Sequence, residues 1–353
     1  MKACYINGVG SISAQKTYEA DFLEEVTEND AANVLYAIQP SYKEVIPPAA
    51  IRRMAKGVKM GIYASNQALQ EAKVEVPDAI ITGTGMGCAE DSDKFLKAIL
   101  DNNEQFLTPT SFIQSTHNTV GAKIALGLQC KGYNFTYVNG AVSFESALLD
   151  AKLQLEYEEA NTILVGGIDE TTQHTLDIYE MVNIIKREED KPFSVLNSKS
   201  NGVVFSEGAS FFVLEAKPKE SSYAVFKDIT LFNYLSQDEV LGFITQFLAS
   251  NNLTAEDIDV LVLGNNGDAS FDNYYSMAES VFDNAAKVYY KHLSGEYNTA
   301  SAFGLWVAAK ILKTQHIPQA VKKNAITKAK YNYVLLYNQY RGKDHSLILL
   351  KQC

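Results

Sequence analysis

Cysteine, histidine and tryptophan are scarce: the 353 residues include four Cys, five His and one Trp. Cys4, Cys88, Cys130 and Cys353 are far apart and form no CxxC pair, so neither a disulfide framework nor a thiolate zinc site is implied. A reducing compartment fits this usage. His117, His174, His292, His316 and His345 show no metal-ligand spacing. Positive charge is short as well. With 31 Lys and Arg against 42 Asp and Glu the net charge is −11, which argues against nucleic acid or an anionic membrane as partner. No apolar run is long enough to span a bilayer, and the start, MKACYINGVGSIS, is too short in its apolar part for a signal peptide. Glycines 83, 85 and 87 lie in no GxGxxG or P-loop context, so they are read as tight-turn and packing glycines. The expectation is a cytoplasmic protein without metal or cofactor.

What is present is an ordinary globular balance, 46% hydrophobic and 21% charged, on a chain long enough for two domains or one duplicated fold. Strand-like and helix-like blocks alternate throughout. Lys2–Val9 reads as a strand, 17–47 as irregular, Ala49–Ala72 as one long helix and Ala79–Thr84 as a strand before the turn GTGMG at 83–87. Asp91–Leu100 is helical. Pro109–Leu128 holds a polar turn and a small-residue helix. Residues 168–200 form a polar excursion, and Gly202–Leu214 reads as two strands about Ser206-Glu207-Gly208. The charged link 217–222 divides the chain into halves, 1–216 and 217–353. The second half repeats the rhythm: strand Tyr223–Tyr234, helix Asp238–Ala249, then LTAEDIDVLVLGNNGD at 253–268, which opens on a capping box of Thr254 and Asp257. Met277–Phe282 is helical, Val288–Tyr290 a strand, Ala300–Thr314 a helix, and a last hairpin turns at Arg341-Gly342. This βαβα alternation predicts α/β layers with buried sheets.

The most informative stretch is 135–167, FTYVNGAVSFESALLDAKLQLEYEEANTILVGG. A strand ends at Val138, Asn139-Gly140 turns the chain, and a helix runs over Ser143–Glu156. Such an elbow points backbone N–H groups at one spot, where a helix N-terminus stabilises a thiolate or an oxyanion. Here the spot holds Gly140, Ala141 and Val142, and none carries a nucleophilic atom. Ser143 reads as a helix N-cap rather than a nucleophile. Cys88 and Cys130 read as packed thiols.

Together these motifs resemble the β-ketoacyl synthase family of the thiolase superfamily. GTGMG at 83–87 is similar to its glycine turn, and STHNTVGAKIALGLQCKG at 115–132 to its PNTAAG helix. The segment 142–167 follows the family's active-cysteine segment without a gap. KPFSV…NGVVFSEGASFFVLE resembles RPFD…DGFVxGEGAGxLVLE, LTAEDIDVLVLGNNG resembles LTPEDIDYVNAHGT, and KHLSGE at 291–296 resembles KSxTGH. The resemblance implies a thiolase-like five-layer αβαβα fold with two similar βαβα halves, and a dimer. It also implies departures. Ala141 stands at the cysteine position, Asn266 (Asn265 with a one-residue slip) and Glu296 at the two histidine positions, and Lys291 is retained. QYRGKD at 339–344 replaces the glycine loop GFGGTN. Without a thiolate there is no acyl-enzyme.

Closest in kind within the family is a cysteine-less chain-length factor, although the best-known ones carry glutamine at the elbow. The expectation is a partner subunit of an active ketosynthase in a type II fatty-acid-like or polyketide pathway, polyene pathways included. An acyl carrier protein is the second expected partner. Phe106, Phe112 and Ile113 are tunnel and interface candidates by family analogy, with Ser143 and Phe144 at the elbow. Glu207 is expected to tie loops, and Glu296 to pair with Lys291. Two alternatives stand beside this one: an acyltransferase, ketosynthase-like enzyme or decarboxylase with a non-standard site, and a homodimeric scaffold for acyl groups or carrier protein.

Overall fold

The computed structural model describes residues 3–19 and 22–353. Its first half runs β1 (Cys4–Ile12), α1 (Pro48–Ile51), α2 (Lys56–Ala72), β2 (Ala79–Gly83), α3 (Ala89–Asp101), α4 (Pro109–Ser115), α5 (Thr119–Leu128), β3 (Tyr133–Tyr137), α6 (Ser143–Glu156), β4 (Thr162–Asp169), α7 (Gln173–Met181) and β5 (Gly208–Glu215). The second runs β6 (Ala224–Tyr234), α8 (Val240–Ser250), β7 (Val260–Leu263), α9 (Asn273–Glu279), β8 (Ala286–Tyr289), α10 (Lys291–Ser294), α11 (Ser301–Thr314), β9 (Tyr333–Tyr340) and β10 (Lys343–Lys351).

Among the described residues ten strands join one mixed sheet in the order β3-β2-β4-β5-β1-β6-β10-β9-β7-β8. Counted outward from the β1–β6 seam, each half has its strands in the same order: first, fifth, fourth, second, third. The pairing sense repeats too. In each half the outer three strands are parallel and the remaining pairs antiparallel. The seam itself is short, Cys4–Ile6 against Ala224–Phe226. Beyond it the halves diverge, and the helices that follow the crossovers fill the gap.

Three apolar cores define the layers. α6 and α11 lie between the halves, and their Phe144, Ala147, Leu148, Phe303 and Leu305 are fully buried there. α2 and α5 cover the outer face of the first half with Val58, Met60, Ala64 and Ile124. α8 and α9 cover the second with Ile244, Leu248 and Tyr275. The result is five layers, αβαβα, with the central helices packed between the sheet faces of the two halves.

The structure departs from sequence expectation at several places. The first strand begins at Cys4; Lys2 lies outside the described residues. The helix expected over 49–72 is two helices, because Ala55 is extended (ψ 153°) and α2 restarts at Lys56. The new N-terminus is satisfied from far away: the Gly57 N–H donates to the Glu170 carboxylate. The polar excursion contains α7, capped by the Thr172 hydroxyl, which accepts from the Thr175 N–H at 3.2 Å. Of the two strands expected over 202–214, one forms; Val203 and Phe205 make isolated bridges. The capping box is present, with the Thr254 N–H donating to Asp257 at 2.7 Å. Among the described residues no helix is long and apolar enough to cross a membrane.

Candidate functional site

At the end of β3 the chain turns through Asn139 (φ −128°) and Gly140, whose φ of +53° favours glycine. A single 3-10 turn, Gly140–Val142, then feeds α6. Ala141 sits at its apex, 6% exposed. Ser143 is the first residue of α6 rather than its N-cap. Its fully buried hydroxyl donates to the Gly140 carbonyl at 2.7 Å and accepts from the Asn139 N–H at 2.8 Å. The hydroxyl therefore fastens the elbow. β2 presses against this turn: a Cβ at Gly83 would come within 2.4 Å of the Ser143 carbonyl oxygen. Phe144 points into the central core against Phe212, with ring centroids 5.8 Å apart.

The second half contributes a buried polar network. Lys291 opens α10, Glu296 follows it, and Asn266 lies in the loop after β7. The Lys291 ammonium donates to Glu296 Oε2 at 2.7 Å and to Asn338 Oδ1 at 2.9 Å. Asn266 Nδ2 donates to the same Glu296 oxygen at 2.7 Å. None of the four is more than 4% exposed. A buried carboxylate is tolerable only when paired and hydrogen-bonded, and here an ammonium and an amide do both. Of the two neighbouring asparagines, Asn266 is the one that reaches Glu296. Three of the four positions singled out in sequence thus meet in one network.

Asn338 was missed in sequence. Its signal was a polar Asn-Gln pair interrupting the otherwise apolar β9, YVLLYNQY. Glu145 was missed too. It lies four residues past Ala141 on α6, fully buried, with Ser346 Oγ donating to Oε1 at 3.0 Å. Burial pushes its carboxyl up; Ser301 and the Lys291 charge act the other way. Burial also raises the Tyr290 phenol, reinforced by Glu296 and Glu145. Through these groups the network adjoins the first turn of α6.

Asp169 locks the two halves at this place. One oxygen accepts from Thr84 Oγ1, Gly85 N and Met86 N at 2.8 to 3.1 Å, and the other from Thr299 N and Oγ1 at 3.0 and 2.9 Å. GTGMG is thereby a carboxylate cradle and packing turn; a Cβ at Gly85 would strike Asn298 at 2.2 Å. Burial raises the Asp169 carboxyl against these donors. Glu207 ties loops as expected, accepting from the Ala37 and Thr171 N–H groups and pairing with Lys56.

The remaining candidates sit apart from the network. Phe106, Phe112 and Ile113 are 92%, 56% and 62% exposed. Phe112 meets Phe95 of α3 at 5.2 Å between centroids. Leu96 and Leu100 of α3 are exposed too, and on the edge strand β3 the exposed Tyr133 and Phe135 stack at 6.1 Å. His117 is exposed and packs beside Gly87. Cys4 and Cys88 are buried, and burial pushes both thiols up. Chemically the site holds no thiolate and no imidazole: Ala141 offers no nucleophilic atom, and Glu296 is engaged by two donors.

The whole architecture is that of solved ketosynthase structures. It superposes on "The ishigamide ketosynthase/chain length factor" with a TM-score of 0.79 at 17% identity, covering 100% of this chain and 99% of that one. A β-ketoacyl synthase from Burkholderia phymatum STM815 gives 0.78 at 16%, with both chains covered in full. A ketosynthase (ApeO) in complex with its chain length factor (ApeC) from Xenorhabdus doucetiae gives 0.75 at 13%, covering 100% and 98%. No curated protein sequence matches. The family model for the β-ketoacyl synthase N-terminal domain matches residues 12–220, more than half of the chain. The chain belongs to the β-ketoacyl synthase family.

Proposed function

We propose that this chain is a non-catalytic, chain-length-factor-like subunit that pairs with an active ketosynthase in type II polyketide or fatty-acid-like synthesis. The observation that carries the reading is Ala141, a methyl group buried at the apex of an otherwise intact elbow. Condensation by this family proceeds through a covalent acyl-enzyme, and alanine forms none. The network of Asn266, Glu296 and Lys291 supports the same reading, because its donors are spent on Glu296. In this reading Ala141, Asn266 and Glu296 stand at the family's catalytic positions, and 216/217 divides the two halves.

The exposed face supports a partner chain. β3 is a sheet edge whose Tyr133 and Phe135, with Val138 just beyond it, are each more than 40% exposed, and Leu96, Leu100, Phe106, Phe112 and Ile113 of the α3–α4 region are exposed as well. An apolar edge of this kind is a pairing surface. We assign it to the ketosynthase, with Phe106, Phe112 and Ile113 bordering the acyl tunnel, and place the complex in the cytoplasm. Two of the similar structures contain a ketosynthase and a chain length factor. A third holds a type II acyl-carrier protein with its ketosynthase, which makes a carrier protein the natural donor of substrate.

The test is co-expression with a cysteine-containing ketosynthase from the same organism. The complex is then assayed with malonyl-loaded carrier protein. A one-to-one complex that condenses only when both chains are present supports the reading. A stable homodimer that ignores the synthase refutes it.

A further inference from the structure

The chain's net charge is −11, yet one groove on the outer face of the first half is lined by cations without any carboxylate. It runs between α2 and α5. An apolar trough of about 440 Å³ has Ile46, Leu69 and Ile124 as its floor, each no more than 3% exposed. It shares Ala50, Met54 and Lys123 with a wider mouth of about 660 Å³, which Arg53 also lines. Among the described residues, neither Arg53 nor Lys123 has an ion pair or a side-chain hydrogen bond. Cations free of carboxylate partners at the mouth of an apolar trough are complementary to an anion with an apolar tail.

We infer that this groove binds a fatty acid, with its carboxylate between Arg53 and Lys123 and its chain along the trough. The guanidinium fork suits a two-oxygen head. The trough falls within the size range of small-molecule pockets. Each methylene it removes from water strengthens binding about fourfold. The groove lies on the α2/α5 face, whereas the elbow lies between the halves, so this inference is independent of the proposed function.

The experiment titrates the full chain with cis-parinaric acid and follows its fluorescence, then displaces it with dodecanoate or methyl dodecanoate. Saturable binding at one site is expected, with the ester at least about tenfold weaker than the acid, since it lacks the charge-assisted contact. Arg53→Gln and Lys123→Gln each weaken parinarate about tenfold. Ala50→Trp blocks the trough and abolishes binding without moving the thermal melt. Four results overturn the inference: no saturable binding, an ester that competes as well as the acid, charge variants that bind like wild type, or an Ala50→Trp chain that still binds. If Arg53→Gln and Lys123→Gln weaken an acidic carrier protein but leave parinarate untouched, the groove belongs to a protein and the inference also falls.

Discussion

β3 and β8 hold the same place at opposite ends of the sheet, each the third strand of its half and each parallel to its one neighbour. They are finished differently. Ala286 and Val288 of β8 are 0% exposed, whereas Tyr133 and Phe135 of β3 are 41% and 46% exposed. The chain itself closes the β8 edge. Lys322 bridges Val288, the Lys323 N–H donates to the Lys287 carbonyl at 2.8 Å, and Asn324 Oδ1 accepts from the Lys287 N–H at 3.0 Å. Among the described residues nothing does this for β3. An uncovered edge with aromatic side chains is an aggregation hazard unless another chain takes it. The duplicated architecture thus differs where a partner would sit.

The sharpest way to break this comparison is to put a charge on each edge. Val288→Lys buries an unpaired ammonium in the closed edge and is expected to unfold the chain, costing about 4 kcal/mol or more. Phe135→Lys is expected to leave the thermal melt nearly unchanged and to abolish capture of the ketosynthase in a pull-down. Capture that survives Phe135→Lys removes β3 from the interface.

The next largest effect concerns the polar network of the second half. Lys291→Met strands the Glu296 carboxylate in a buried site and is expected to cost ~3–5 kcal/mol in urea denaturation. Adding Glu296→Leu should recover most of that loss, because the pair is removed as a unit. A double variant no more stable than Lys291→Met would show that the pair is not the reason for the loss.

A smaller effect comes from Glu170, which accepts from the Gly57 and Glu90 N–H groups at the starts of α2 and α3. Burial pushes its carboxyl up to about 7. The folded form therefore holds a proton that the unfolded chain has released. Stability attributable to this group is full below the ordinary carboxylate range and is lost as pH rises through about 7. The slope is at most about 1.4 kcal/mol per pH unit. Denaturant melts between pH 5 and 8 should show it in wild type and not in Glu170→Gln. An unchanged slope in the variant assigns it elsewhere. The smallest expected effect is at the apex: Ala141→Cys should move stability by about 1 kcal/mol or less. The thiol should not make this chain a synthase by itself, since Asn266 and Glu296 remain. Condensation by Ala141→Cys alone would contradict that.

Much of this was legible in sequence because it is local. The elbow, the capping box at Thr254 and the small-residue helix at 119–128 follow from spacing and turn chemistry over a few residues. The pairing of Lys291 with Glu296 was within reach because the two are five residues apart. What sequence could not show is set by long-range contact. Glu170 restarts α2 from 113 residues away, so a periodic 49–72 pattern looked like one helix. Asn338 joins Lys291 across 47 residues, and Asp169 reaches Thr299 across 130. Glu145 carries no local mark of its burial, which follows from the packing of α6 in the central core. The closed edge of β8 depends on an Asn324 that no strand pattern marks.

The central claim is that this chain acts only as part of a pair. The most direct measurement is native mass spectrometry of the chain co-expressed with a cysteine-containing ketosynthase from the same organism, with the same samples assayed for 3-oxoacyl product. The account predicts a one-to-one complex that makes product, and no product from this chain alone. Product from this chain in the absence of the synthase would contradict it.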